Sequence, residues 1–335
     1  MFFLFHIGAE YMTRIKVWKE KGYFLDVAWL QMFGRTLPSL LGIVLRYPRL
    51  VKQASRAYPD APMDLKPDSI PYKIPEYKEG MKVCRSDERF LRPTFLCNPL
   101  DERIIALANQ LGAFKKSEWE YASAAHQFVM ENIRGDFSPP KSAVETLLTG
   151  HGTCIDKMNL FIALCRAGGV KGRYHLYSPE GVQELYDVYM SADPLIKKWY
   201  DALGFFVLHG HPEAFVDGKW TPCDVSVDLY HLVAAGHPLT HFGDDPTKTM
   251  MRPVEESLFL EGLPLAFKAL AGLPFTIFKG TGRAINLAVQ GHYDKGKKIL
   301  KTMSIEEYDK MAKKTYKPRW TESGSVASRI LKDMK

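Results

Sequence analysis

One cysteine in this 335-residue chain sits where a thiol could act as a nucleophile. Cys154 closes the run Gly150-His151-Gly152-Thr153-Cys154, a glycine-flanked turn leading into the apolar-periodic stretch Ile155, Met158, Phe161, Ile162 and Leu164. The first turn of a helix has unpaired N–H groups and the positive end of the macrodipole, so the position should favour a thiolate and lower its pKa. The same N–H groups could hold an oxyanion, and glycines such as Gly152 would let a substrate backbone come close. A thiol also needs a base and a group to orient that base. His209, His211 and Glu213 alternate along one predicted strand, and Asp224 lies on the strand that returns after the Asp217-Gly218 turn.

A two-residue Asp217-Gly218 turn sets His211, rather than His209, opposite Asp224. A bulge near Pro212 would remove that conflict. The residues alone therefore leave two candidates for the base.

The elements that must position these groups are regular from residue 100 onward. Asp101 can cap a helix carrying Ile104, Ile105, Leu107 and Leu111, and Ser117 opens a second with Trp119, Tyr121, Phe128 and Val129. Ser142-Ala143-Val144-Glu145 reads as a capping box for a short helix ending at Gly150. Gly168-Gly169 should stop the Cys154 helix, and Val170 to Tyr177 follows as a strand. Residues 179–203 form a helical or loop insertion. Phe205 to His211 with Glu213 to Val216, then Lys219 to Val225, complete a hairpin. Helices first and strands after imply an α+β core.

The stretches Gly152-Thr153-Cys154, Leu164 through Val170 with Arg173, and His209 through Trp220 to Asp224 together resemble the transglutaminase-like superfamily of bacterial and archaeal type. The resemblance spans roughly residues 100–228. It implies a papain-like Cys-His-Asp core: a helix-borne Cys packed on an antiparallel sheet, with helical N- and C-terminal flanks. It implies Cys154 as nucleophile, His209 as general base and acid, and Asp224 as the orienting carboxylate, with family spacing choosing His209 over His211. Gly152, Thr153, His211 and Trp220 are the expected substrate-binding positions. Family members often carry an aromatic residue two places after the histidine, where this chain has His211. The activity implied is that of a cysteine hydrolase or acyltransferase, peptidase or isopeptidase in kind, working through a thioester on a peptide or protein amide. The alternative is an inactive binding or scaffold protein.

Four segments are expected: an N-terminal helical segment (1–57), a Pro-rich linker or strap (58–98), the catalytic core (99–228) and a mostly helical C-terminal extension (229–335). Composition is that of a globular protein, with 46% hydrophobic and 25% charged residues, and the charge of +7 is too mild to point to nucleic acid without a motif. The five cysteines at 84, 97, 154, 165 and 223 are odd in number and contain no Cys-x-x-Cys, which argues against disulfides and thiolate zinc and for the cytoplasm. His209, His211, His231, His237 and His241 form no convincing ligand set with any carboxylate, so no metal and no cofactor is expected. The segment Val27 to Leu45 is nearly apolar but is broken by Arg35, Pro38 and Gly42. With Arg46, Arg49 and Lys52 beside it, the expectation is a buried helix or peripheral membrane contact rather than a span.

Overall fold

The computed structural model describes residues 41–203, 208–254 and 257–321. The chain enters through α1 (Pro48–Arg56), after which the proline-spaced stretch from Tyr58 to Tyr77 contains no helix or strand. This stretch is a strap tied down by single hydrogen bonds: Leu65 N–H donates to the Asp136 carboxylate, and the Tyr72 hydroxyl donates to the Leu147 carbonyl. Proline supplies no N–H for a ladder and resists a long helix, hence the irregular path.

Two capped helices, α2 (Glu102–Leu111) and α3 (Glu118–Asn132), come next. Asp101 caps the first, and Ser117 with Glu120 forms a complete capping box on the second. The short strand β1 (Arg134–Gly135) leads to α4 (Ala143–Thr149), boxed by Ser142 and Glu145 and ended by Gly150 in the left-handed conformation. Strand β2 (His151–Gly152) pairs in parallel with β1, and α5 (Cys154–Ala167) begins immediately after it.

Strand β3 (Gly172–Tyr177) forms the centre of the main sheet, and β4 (Pro179–Gly181) stands apart. A π-helical turn at Tyr186–Met190 and α6 (Pro194–Leu203) fill the insertion. Then β5 (His209–Val216) and β6 (Lys219–Pro222) form the hairpin. Asp217 and Gly218 both adopt positive φ, 51° and 76°, as a two-residue hairpin turn requires. Next come α7 (Leu229–Ala235), β7 (Met251–Pro253) and β8 (Leu258–Leu260), followed by α8 (Leu265–Ile277), α9 (Lys279–Ile299) and α10 (Ile305–Thr315).

The main sheet is antiparallel, in the order β6-β5-β3-β8, and β4 pairs with β7. One face of β3 and β5 presents Tyr174, Leu176, Ala214 and Val216 to Phe161, Ile162 and Leu164 of α5. Gly172 allows the close approach, since a Cβ there would lie 3.1 Å from Ile162. This is the expected α+β, papain-like arrangement of a Cys-bearing helix packed on an antiparallel sheet.

One local expectation is corrected, and two buried polar residues find their places. The strand through Pro212 runs unbroken, with Tyr174 opposite Pro212 and Glu213 opposite Pro222, so no bulge resets the hairpin register. Asp228 caps α7 and places His231 in its first turn. Arg166 is buried at the end of α5, donating to the carbonyls of Arg92, Gly172 and Glu261. Much of the Val27–Leu45 stretch falls outside the described residues, among which no helix is long and apolar enough to cross a membrane.

Candidate functional site

The start of α5 is built by its cap. The Thr153 hydroxyl accepts from Asp156 N–H, and the Asp156 carboxylate accepts from Thr153 N–H at 2.8 Å and Lys141 N–H at 2.7 Å. Gly152 serves this cap: a Cβ on it would come within 2.6 Å of the Asp156 side chain. Thr153 and Gly152 thus both have structural duties beside Cys154, the first residue of the helix.

The expected lowering of the Cys154 thiol does not appear. Burial, followed by the charges of Asp156 and Asp224, pushes it up to about 12. The Ile155 N–H and the Lys157 ammonium act in the opposite direction and are outweighed. Burial works against any thiolate, and a helix terminus is a modest counterweight. These influences favour the thiol over the thiolate at the Cys154 sulfur, which is itself partly exposed.

On the sheet, His209, His211 and Glu213 share the face of β5 turned away from the α5 core, beside Tyr177, His175 and Arg173 of β3. His209 is 5% exposed and opens the strand, its ring edge-on to Tyr177 at 5.8 Å. Burial pushes its pKa below the ordinary histidine value, and Asp224 pulls it back up. His211 is set well below by burial, with His175 and His209 adding to the effect. Its Nδ1 is 3.1 Å from the Tyr177 hydroxyl.

Asp224 follows the end of β6, where the ladder has given way; the last contact is Cys223 N–H to the Pro212 carbonyl. Continued regularly, that register would face Asp224 toward His211. The carboxylate instead acts electrostatically on His209, Cys154 and Lys157. One Asp224 oxygen accepts from Ser226 N–H at 2.7 Å, and its main-chain carbonyl accepts from His126 Nε2 at 2.7 Å. The other carboxylate oxygen and His209 Nε2 are both buried without a hydrogen-bond partner among the described residues. Catalytic hydrogen bonds are often loose before substrate binds.

Trp220 belongs to an aromatic cluster rather than to the surroundings of Cys154. It packs edge-on against Phe90 at 5.0 Å and Phe215 at 5.3 Å, with Arg173 4.1 Å from its ring centre. Cys97, Cys165 and Cys223 are buried, and all five cysteines are free. A cavity of about 480 Å³ between Trp119, His126, Met130, Phe242 and Asp309 is lined by none of Cys154, His209 and Asp224.

Two groups near the site were missed by sequence reasoning. Lys157, one turn beyond Cys154 on the same helix face, is fully buried, its Nζ unpartnered among the described residues. Burial lowers its pKa, while Asp228, Asp224 and Cys154 raise it. Asp228 is the second. Burial raises its carboxyl, but His231, Lys157 and the Gly135 N–H outweigh this and hold it well below the usual carboxylate range. The spacing of Lys157 from Cys154, i to i+3, was visible in the sequence, but in an apolar helix it carried no sign of burial.

Residues 105–225 match the family model of the transglutaminase-like superfamily. Among solved structures, the chain is similar to a protein of Cytophaga hutchinsonii named as a candidate cysteine protease, at 21% identity and a TM-score of 0.30. The likeness covers 41% of this chain and 40% of that one, so the chain spans well under half of that protein's length. No match to a curated protein is found.

Proposed function

We propose, from the premise that residues 105–225 are a transglutaminase-like core, that the protein is a cysteine-dependent amide-bond hydrolase or acyltransferase. What supports this reading is that the Asp224 carboxylate exerts its charge on both the Cys154 thiol and the His209 imidazole, two groups remote in sequence.

Because the resting pair is thiol and neutral imidazole, His209 takes the Cys154 proton as the sulfur attacks the substrate carbonyl. The C–S bond forms, and the carbonyl electrons move onto oxygen beside the first-turn amides of α5. As that oxygen reforms the carbonyl, the C–N bond breaks and His209 returns the proton to the leaving amine. Water or an amine then attacks the thioester while His209 accepts its proton; the C–S bond breaks, and the proton passes from His209 to the departing sulfur to regenerate the thiol. Asp224 offsets the imidazolium charge while it exists. A peptide or isopeptide bond in a protein is the substrate class this chemistry fits, with hydrolysis ahead of cross-linking, since no acidic calcium loop is evident.

The raised Cys154 thiol favours a second reading, a binding protein in which the cysteine is inert. Peptide and isopeptide substrates with an amine-release assay and mass spectrometry separate the two. Catalysis predicts an acyl adduct on Cys154, no turnover in Cys154→Ala, and turnover lost in His209→Ala with a smaller loss in His211→Ala. An unacylated Cys154 across the substrate panel supports the binding protein. Full turnover in His209→Ala removes His209 from the mechanism.

A further inference from the structure

We propose that His175, His211 and Glu213 form a binding site for one divalent transition-metal ion of the zinc class, on the outer face of the β3–β5 pair. The three come from different places in the sequence and converge through strand register. His175 stands directly opposite His211, and Glu213 is the next residue on the same face of β5. One ligand atom from each lies within 4.8 Å of the others. Two imidazoles and a carboxylate are a recognised donor set for zinc, leaving a further position for a small ligand.

The surroundings fit ligands rather than a simple ion pair. One oxygen of Glu213 is held by the Arg173 guanidinium at 2.6 Å, which orients the carboxylate and leaves the second oxygen beside His175 Nδ1, 3.0 Å away. His211 Nδ1 meets the Tyr177 hydroxyl at 3.1 Å. An Nδ1–H donated to that hydroxyl would leave the Nε2 lone pair free, the usual arrangement in metal-bound histidines. His175 Nε2 is buried without a hydrogen-bond partner among the described residues. Apolar walls are present as well: the Phe259 ring lies 4.4 Å from the His175 ring, and Arg173 covers both Phe259 and Trp220. Zinc–nitrogen bonds of about 2.0–2.1 Å require a small inward movement of these donors, within the reach of side-chain rotation.

The donor set contains no cysteine, and its test does not depend on enzymatic activity. Cobalt(II) serves as the spectroscopic probe and Zn²⁺ as its competitor, both added to the full chain in wild-type and Cys154→Ala forms. The expected result is one equivalent of bound cobalt in both forms, with visible ligand-field absorption, no thiolate charge-transfer band, and displacement by zinc. His175→Gln and Glu213→Gln should each weaken binding by about a hundredfold or more, beyond the 10–100-fold typical of residues that only support a ligand. Circular dichroism on each variant checks that it folds. Unchanged cobalt affinity in folded His175→Gln overturns the proposal. So does a thiolate band lost in Cys154→Ala, which would place the metal on Cys154 instead.

Discussion

His126, on the helix that precedes the Cys154 region, donates from Nε2 to the main-chain carbonyl of Asp224 across 98 residues of sequence, at 2.7 Å. This bond fixes the carboxylate-bearing residue where β6 has already ended, and because Nε2–H still donates when the other nitrogen is protonated, it is burial and not the bond that opposes the charge. Burial lowers the His126 pKa to about 4, with the Asp224 carbonyl and charge opposing the shift. Between its ordinary value of about 6.5 and about 4, the unfolded chain binds a proton here that the folded chain does not. Folding stability should therefore fall as pH drops through that window, by about 3 kcal/mol at its acid end. His126→Gln keeps a donor and does not titrate. Urea unfolding at several pH values should show a shallower slope for that variant, and an unchanged slope would remove His126 as the source.

The pH profile of turnover should follow His209. Its free imidazole is the active form and its pKa lies below the ordinary histidine value. The acid limb of kcat/KM should accordingly fall below about 6.5, with a plateau through neutrality. Asp224→Asn removes the group that raises His209 and offsets its charge, so kcat should drop by about 10²–10⁴ while Cys154 remains alkylatable. An acid limb at or above pH 7 would contradict this assignment.

Lys157 offers a test of how the sulfur is charged. Its buried ammonium is one of two features that favour the Cys154 thiolate. In Lys157→Met, a neutral side chain of similar reach, iodoacetamide labelling of Cys154 at pH 8 should slow by roughly tenfold, corresponding to a rise of about one pKa unit. The change should also cost stability, since it removes a cation from beside the buried Asp224 and Asp228 carboxylates, so circular dichroism checks that the variant folds. Equal labelling rates would show that the ammonium does not reach the sulfur.

Gly210 lies between the two candidate bases, and its missing side chain is used by the neighbouring strand. A Cβ there would collide with the main-chain carbonyl of His175 and come within 2.5 Å of the Leu176 side chain. Gly210→Ala should cost about 1–3 kcal/mol in denaturant unfolding by overpacking the β3–β5 pair. A variant of wild-type stability would mean the strands can part without penalty.

Much of the architecture was legible in the sequence because it rests on local rules. Asp101, Ser117 and Ser142 start helices where capping geometry requires, and Gly150 ends one. The Asp217-Gly218 pair forms its turn because both positions need positive φ. The start of α5 at Cys154 follows from Thr153 and Asp156 in the same way. Long-range choices were not legible. The helix that carries His231 has little in the nearby sequence to mark it beyond its Asp228 cap. Trp220, expected near substrate, joins Phe90, whose side chain reaches it from the strap before the core.

Sequence alone determined the order of Cys, His and Asp, the helix that carries the first and the hairpin that carries the second and leads to the third. Periodicity, caps and turn chemistry act over a few residues, and each of these features is of that kind. The influence of the Asp224 carboxylate on His209 is a matter of tertiary structure, because it turns on how the chain leaves the ladder after Pro222. Tertiary structure also decided the state of the sulfur. A helix terminus argues for a thiolate, but the protein packed over Cys154 and the carboxylates of Asp156 and Asp224 argue more strongly against one. Charge in a buried site depends on every group folded around it, and those groups come from Asp156 to Asp228, brought together by packing.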